Sequence, residues 1–331
     1  MDDNSIKILD CTLRDGGYLN NWRFGKNNIA AVIGLLAASG IDYIECGFFT
    51  PNIKDMPNST LFSNLQRFVK TIREIKGTEY TLMLNYNNDL KNIKNYEITL
   101  RVAFKKQNLI EIKSFCEELK NKGYKIILNP MHTIGYTEKE LDKLICICNL
   151  ISPQCFTVVD TMGIMSENDT EKLFCYLDKN ISSEISFGFH SHNNLRLSFK
   201  NVKILTELKL KREIIIDTCI FGLGRGAGIV PTELIAGYLN KNFKTRYHLE
   251  NILKISDKYL YKLKTMYMKD DKYPYYLSAL NKCHPYYAKY LKDNTRLNYA
   301  EMNIILANIP NSNKTIYNES IIRNLFSVYN T

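Results

Sequence analysis

The sequence predicts an α/β protein, a (β/α)8 TIM barrel followed by a helical C-terminal extension. Eight short apolar runs with strand character alternate with amphipathic helical patterns. Together they occupy roughly 240 residues, the length expected of eight βα units. The turn after the first run, residues 12–17, is charged and lacks the glycine spacing of a doubly wound dinucleotide-binding sheet. We therefore predict a barrel over residues 1–246 and a tyrosine-rich helical domain over residues 247–331.

The predicted elements follow one another with short breaks. The strands are residues 6–10, 43–48, 80–85, 98–104, 125–129, 156–160, 185–190 and 214–221. The helices between them show apolar residues every three to four positions, and Thr137 with Glu140 forms a capping-box pattern at the start of one. Only residues 87–95 are short and weakly periodic. The eight units are therefore complete except for a poorly marked third helix.

Charge and composition exclude several classes of protein. The net charge is +10, but lysines are interspersed with acidic residues and no basic run reaches five, so we expect no nucleic-acid partner. The surplus positive charge could also help to attract an anionic substrate. No apolar stretch approaches the ~20 residues that span a bilayer, and no signal peptide is evident, so we expect a cytoplasmic protein without a membrane partner. The nine scattered cysteines predict reduced thiols, with Cys146 and Cys148 in the buried stripe of a helix.

Two distant segments carry residues suited to one divalent metal ion. Asp15 follows the first predicted strand, and His190 and His192 lie at the end of the seventh. Residues i and i+2 of a strand share a face, so the two imidazoles can point at one site. A carboxylate and two imidazoles leave half of an octahedral site open for water and substrate. We predict a Lewis-acid centre of Mn²⁺ or Mg²⁺ at the carboxyl ends of the strands, where barrel enzymes place their chemistry.

Charged residues beside these ligands are further candidates. Arg14 could stabilise a developing enolate oxygen or pair with a barrel carboxylate. Glu45, Arg101 and Asp160 interrupt strands that are otherwise apolar, and a buried charge requires a partner. Each of these three either lines the site or forms an ion pair next to it.

A glycine-rich loop, residues 222–228, follows the last predicted strand. Gly224 and Gly226 in this loop could contact substrate. The loop could cradle a phosphate, because barrels often bind phosphate near strands seven and eight. It could equally be a mobile segment that closes over the site.

Five segments in this order resemble the metal-dependent aldolase, lyase and condensing-enzyme superfamily, typified by 4-hydroxy-2-oxovalerate aldolase and 3-hydroxy-3-methylglutaryl-CoA lyase. The segments are residues 10–17 (DCTLRDGG), 44–48 (IECGF), 160–163 (DTMG), 188–194 (GFHSHNN) and 222–228 (GLGRGAG). The resemblance implies a TIM barrel, a divalent metal on Asp15, His190 and His192, and Arg14 as the residue that stabilises the enolate.

The sequence also departs from the superfamily. Ile229 stands where the lyases have a metal-binding Asn, and the loop lacks their cysteine. Tyr18 stands where the oxovalerate aldolases have a catalytic His. Gly17 and Tyr18 replace the Glu-Gln that the acyl-CoA condensing enzymes prefer after Asp-Gly. These departures favour an aldolase branch with its own substrate.

We therefore expect a carbon–carbon lyase that cleaves or forms a bond through the enolate of a 2-oxo acid such as pyruvate. The catalytic base is Tyr18, Glu45 or a metal-bound hydroxide. The alternatives are an acyl-CoA condensing enzyme or lyase of the same superfamily, and a non-catalytic barrel that serves as a partner subunit. We expect a small-molecule 2-oxo acid substrate and a homo-oligomer. By analogy alone, an aldehyde dehydrogenase could be a partner.

Overall fold

Eight parallel strands close into a barrel in the computed structural model, which describes residues 6–51, 53–54, 56–72, 77–86, 88, 90, 98–243 and 245–329. The chain has nine strands: β1 (Ile6–Asp10), β2 (Tyr43–Phe49), β3 (Leu61–Phe62), β4 (Glu79–Asn85), β5 (Thr99–Phe104), β6 (Lys125–Pro130), β7 (Cys155–Asp160), β8 (Ser186–Ser191) and β9 (Ile214–Thr218), among the described residues. All but the short β3 form the barrel. Strand β1 pairs with both β9 and β2, which closes the sheet. The predicted barrel is confirmed.

The predicted strands differ from the observed ones in two places. The two-residue strand β3 pairs only with β2 and was not predicted, since it is too short to show alternation. The last predicted strand, residues 214–221, ends at Thr218 and turns into a 3-10 turn at Ile220–Gly222. Phe221 has a φ of 57° there, which no strand residue adopts. Most of the weakly periodic segment, residues 87–95, lies outside the described residues.

Helices surround the barrel and continue beyond it. They are α1 (Lys26–Ala38), α2 (Leu65–Thr71), α3 (Ile112–Asn121), α4 (Glu138–Ile151), α5 (Glu167–Asn180), α6 (Ser198–Glu207), α7 (Thr232–Asn242), α8 (Leu249–Lys254), α9 (Tyr261–Lys269), α10 (Tyr273–Leu280), α11 (Pro285–Asn294), α12 (Tyr299–Ala307) and α13 (Glu319–Tyr329). The capping box predicted from Thr137 and Glu140 is present at the start of α4. Cys148 in that helix is buried as predicted, but Cys146 is exposed because it lies on the opposite side of the helix. No helix among the described residues is long and apolar enough to cross a membrane.

The buried residues form two apolar clusters. The larger fills and surrounds the barrel and extends past residue 246 to include Tyr247, Ile252 and Leu263. The smaller lies among α10–α13, from Tyr275 to Ile322. The domain boundary after residue 246 stays a prediction. The structure places the first residues beyond it in the core of the barrel, where Tyr247 also donates a hydrogen bond to Asp42.

Candidate metal centre

Three buried side chains converge at the carboxyl ends of β1 and β8. Asp15 lies in a turn after β1, where its backbone N–H donates to the carbonyl of Cys11 at 2.7 Å. His190 is in β8, and His192 lies just beyond it on the same face, with ring centroids 5.1 Å apart. One ligand atom from each of the three lies within 4.8 Å of the others. The structure therefore brings the three predicted metal ligands together.

The protonation states of these groups suit a divalent metal ion. One Asp15 oxygen, Oδ1, accepts from Arg14 at 2.7 Å, while Oδ2 is buried without a hydrogen-bond partner and lies 3.9 Å from His190 Nε2. Burial raises the pKa of Asp15, but Arg14 and the two imidazoles outweigh it, so the pKa is lowered and the carboxylate is ionised. Burial, and then Arg225, lower the pKa of His192 well below its usual range, which keeps that imidazole neutral. An ionised carboxylate with an unpaired oxygen and a neutral imidazole is the donor state that metal binding requires.

Asp217 on β9 fixes the orientation of His190. The Nδ1 atom of His190 lies 2.9 Å from Asp217 Oδ2, which directs Nε2 towards Asp15. Carboxylates that orient a metal-binding imidazole in this way set its tautomer. Asp217 was not predicted from the sequence, although a carboxylate inside the apolar run 214–218 is the same signal that indicated Glu45.

Ion pairs connect the metal ligands through the interior of the barrel. Arg14 Nε donates to Glu45 Oε2 at 2.7 Å, and the other Glu45 oxygen lies 3.1 Å from Arg101 Nη1. Arg101 also donates to Asp217, on a strand that is not its neighbour, so this contact crosses the barrel. The continuous chain, which we call the ion network, runs in the order Asp15, Arg14, Glu45, Arg101, Asp217 and His190.

A cavity of about 540 Å³, the metal cavity, opens above the ligands. Of the predicted residues, it is lined by Arg14, Asp15, Tyr18, His190 and His192. The remaining predicted residues do not line it; they are Glu45, Arg101, Asp160, Gly224 and Gly226. Arg225, Asn85 and Asn129 line it and were not predicted. The site is therefore an open cavity lined by the three ligands, by other polar side chains and by apolar ones such as Phe48 and Met83.

Comparison with known proteins agrees with this geometry. The HMGL-like family model matches residues 86–258, which is more than half of the chain. The chain belongs to the HMGL-like family. A 4-hydroxy-2-oxovalerate aldolase of Thermomicrobium roseum is 25% identical over 249 residues, which cover 71% of this chain and 67% of that protein.

Solved structures show the same fold. The N-terminal domain of a proposed aldolase from Bacteroides vulgatus superposes with a TM-score of 0.74 and 26% identity, covering 87% of this chain and 97% of that one. An HMG-CoA lyase from Bacillus subtilis has a TM-score of 0.63 and 16% identity, covering 78% and 93%, and shows the fold alone. With its metal centre and family, this chain is a metal-dependent carbon–carbon aldolase or lyase.

Asp160 of this HMGL-like protein does not line the metal cavity and instead binds the backbone of the turn after β7. Its two carboxylate oxygens accept from the backbone N–H groups of Ile164 and Met165, both at 3.0 Å. Burial raises its pKa to about 6, against the lowering effect of these donors. The adjacent residue, Thr161, does line the metal cavity. Asp160 thus holds the turn after β7 that presents Thr161.

The glycine-rich loop packs directly on the metal ligand. A Cβ atom at Gly224, where φ is +156°, would lie 2.7 Å from Asp15 Oδ2, and one at Gly226 would lie 2.8 Å from Asn194 Oδ1. The loop is held in place by Ala227, whose N–H donates to Asn194 Oδ1 at 2.9 Å. Neither phosphate binding nor closure of the loop is tested by these contacts, and both stay predictions.

Two positions that depart from the superfamily flank the site. Ile229 is fully buried, and its backbone pairs with that of His192, so an apolar side chain stands where the lyases have a ligand. Tyr18 lines the metal cavity with its ring against Trp22, at 5.0 Å between centroids. Burial raises the pKa of Tyr18, although Arg225 opposes this. Tyr18 is therefore a neutral phenol at neutral pH.

Proposed function

We propose that this protein is an aldolase for 4-hydroxy-2-oxo acids, with pyruvate as the half that becomes the enolate. The observation that carries the proposal is the placement of Asp15, His190 and His192 beside Arg14 at the base of one cavity. Among the relatives, the oxovalerate aldolase has a substrate of this class. The same site catalyses bond formation when the reaction runs in reverse.

Asp15, His190 and His192 hold the metal ion in this proposal. Oxygen and imidazole donors suit Mn²⁺ or Mg²⁺, and the buried, unpartnered Oδ2 of Asp15 is the atom best placed to bind one. When bound, the ion supplies Lewis-acid polarisation of the 2-oxo group. Asp217 keeps His190 in the tautomer that leaves Nε2 free as a donor to the ion.

Arg14 stabilises the oxyanion of the enolate. Its Nε is held by Glu45 and its Nη1 by Asp15, so the guanidinium is fixed in place, and Nη2 makes no hydrogen bond with any described residue. Fixed donors that point to a developing negative charge supply much of the catalysis in such reactions. Arg14 also lines the metal cavity, as this role requires.

Tyr18 is the better candidate than Glu45 for moving a proton. Both oxygens of Glu45 face guanidinium groups, and its side chain does not line the metal cavity. Tyr18 does line it, and burial keeps its phenol protonated. In the cleavage direction the 4-hydroxyl loses its proton to water as the C3–C4 bond breaks and the aldehyde carbonyl forms. We assign Tyr18 the donation of a proton to C3 of the enolate after the aldehyde has left, and water then reprotonates its phenolate.

The test is pyruvate release from a panel of 4-hydroxy-2-oxo acids, with Mn²⁺ or Mg²⁺ and again after chelation. We expect release that depends on the ion and is lost in Asp15→Asn. Asp257→Asn is the matched control, since it removes an exposed carboxylate that pairs with Lys264. Release that persists in Asp15→Asn, or without the ion, would exclude the proposal. A homo-oligomer and an aldehyde dehydrogenase partner stay predictions.

A further inference from the structure

A second cavity joins the metal cavity to the C-terminal helices. It has a volume of about 910 Å³, and we call it the vestibule. Tyr18 and Arg225 line both cavities, whereas Arg14 and Asp15 line only the metal cavity. A substrate longer than pyruvate that extends from the metal cavity into the vestibule must therefore pass Arg225.

Arg225 is held at this junction with most of its donors unused. Its guanidinium carbon lies 6.0 Å from the ring centre of Tyr18 and 5.8 Å from that of Tyr286. One nitrogen, Nη2, donates to the carbonyl of Thr161 at 3.0 Å. A guanidinium has five N–H donors. No carboxylate of the described residues forms an ion pair with Arg225.

The other cations of the vestibule are neutralised. Lys289 forms an ion pair with Asp293, and Lys292 lies 2.6 Å from Asp270. Arg225 differs from both lysines, because none of the described carboxylates forms an ion pair with it; Asp270 is shared between Lys292 and Lys272. A cation that is partly buried without a counter-charge is costly for a fold to keep unless a ligand offsets it.

Next to Arg225 lies a histidine that is neutral at neutral pH. His284, just before α11, is a neighbour of Arg225, Lys105 and His132. Burial, and then these three groups, lower the pKa of His284 to about 3. Its Nδ1 atom accepts from the backbone N–H of Tyr286, so it is a neutral acceptor there. Lys105 thus adds positive charge near His284, and the carboxylate that Arg225 acts on, Asp15, lies on the metal side of the junction.

We infer that Arg225 binds an anionic group, a carboxylate or a phosphate, on the half of the substrate that leaves as the aldehyde. The vestibule then holds the remainder of that half. The inference rests on the proposed function, which places the pyruvate half at the metal ligands and Arg14. It assigns the substrate class as 4-hydroxy-2-oxo acids with a second, distal negative charge.

The test compares matched substrates that differ only in the distal group: carboxylate, phosphate, or a neutral amide or hydroxyl. We expect the wild-type enzyme to have a kcat/KM about 10- to 100-fold higher for an anionic member, the range for charge-assisted hydrogen bonds. Arg225→Gln should remove that preference and leave the neutral substrates within about threefold. Arg225→Lys should restore part of it. Whether the carboxylate or the phosphate shows the larger effect identifies the anion.

Two controls separate an effect on the distal half of the substrate from a general loss of activity. Arg196→Gln removes an exposed arginine from the loop after β8 that lines neither cavity, and it should not change the preference. Exchange of the pyruvate methyl protons for deuterium needs the enolate but no aldehyde half. Because Arg225 also acts on the pKa of His192 and Tyr18, exchange can change in Arg225→Gln, but by much less than cleavage of the anionic substrates.

The outcomes separate the two hypotheses. Wild-type exchange without any preference for anionic substrates would overturn the role of Arg225 and leave the aldolase standing. A loss of exchange in Arg225→Gln as large as the loss on anionic substrates, or equal losses on neutral and anionic substrates, would also overturn it, because Arg225 would then act on the pyruvate half or on the fold. Neither exchange nor cleavage in the wild type would overturn both.

Discussion

Asp217→Asn is the substitution that most directly tests how the ion network supports the metal centre. Asp217 accepts from Arg101 Nη2 at 2.5 Å and lies 2.9 Å from His190 Nδ1 through the same oxygen, Oδ2. An amide of the same shape cannot accept from both partners as strongly, and it leaves Arg101 with Glu45 as its remaining carboxylate at 3.1 Å. The change therefore weakens the orientation of a metal ligand without touching the metal cavity itself.

The structure sets the size of two separate effects. Loss of a carboxylate that orients a metal-binding imidazole typically lowers metal affinity 10- to 100-fold, which is about 1.4–2.7 kcal/mol. Breaking a buried ion pair costs about 3–5 kcal/mol when the partner is left alone. Arg101 keeps Glu45, so we expect about 2–3 kcal/mol of lost folding stability.

Affinity is measured by calorimetric titration with Mn²⁺, and stability by urea unfolding in the presence of a chelator. Trp22, the single tryptophan, donates to the Arg14 carbonyl at 2.8 Å, so its fluorescence reports on unfolding close to the centre. Asp178→Asn is the control: it removes a carboxylate 2.6 Å from Arg212, an ion pair with no histidine. It should lower stability and leave Mn²⁺ affinity unchanged. An Asp217→Asn protein that binds Mn²⁺ within twofold of wild type would refute the reasoning.

Four further outcomes follow from the same geometry. Arg14→Ala should lower kcat by about 10²–10³-fold, measured by pyruvate release, and near-normal turnover would exclude its oxyanion role. Tyr18→Phe should lower kcat about 10²-fold or more while Mn²⁺ affinity stays constant, and equal activity would move the proton donor elsewhere. Gly224→Ala should weaken Mn²⁺ binding in the calorimetric titration, because the new Cβ would lie 2.7 Å from Asp15 Oδ2. Unchanged affinity would show that the loop moves to make room for the methyl group. The raised pKa of Asp160, about 6 against 3.8, means that the folded state holds this proton more tightly than the unfolded state. Its contribution to the free energy of unfolding should therefore fall by about 2 kcal/mol as pH rises from 4 to 6, and Asp160→Asn should reduce the fall in urea-derived stability over that range by the same amount.

Residues whose position follows from strand periodicity were predictable from the sequence. His190 and His192 share a face of one strand, and the closing of eight parallel strands brings that strand end to the turn that carries Asp15. Both inferences need only the alternation of side chains and the rule that barrel strands end at one rim. The family resemblance then supplied the chemical role of Arg14.

Residues whose role depends on contacts across the barrel were not predictable. Glu45 and Arg101 were recognised as buried charges, and a pairing of Arg14 with a barrel carboxylate was among the alternatives. The contacts of Arg101 with Glu45 and with Asp217 join non-neighbouring strands, a relation that sequence order does not contain. Arg225 lies in the glycine-rich loop, and the spacing of the glycines led to Gly224 and Gly226 being predicted as substrate contacts instead of Arg225. Its importance depends on what surrounds it in three dimensions: two tyrosine rings and no carboxylate partner among the described residues.

The charge of the ion network links metal binding to folding. Three carboxylates face two guanidinium groups, so the network carries one uncompensated negative charge in the barrel interior. Three of its carboxylate oxygens have no hydrogen-bond partner: Asp15 Oδ2, Glu45 Oε1 and Asp217 Oδ1. Burying a charge without a partner is unfavourable, so a divalent cation at Asp15 offsets a cost that the fold otherwise bears. The charged residues of the ion network that do not line the cavity therefore have a role in metal binding. They hold Asp15 ionised and His190 oriented, which are the two conditions that the proposed metal centre needs.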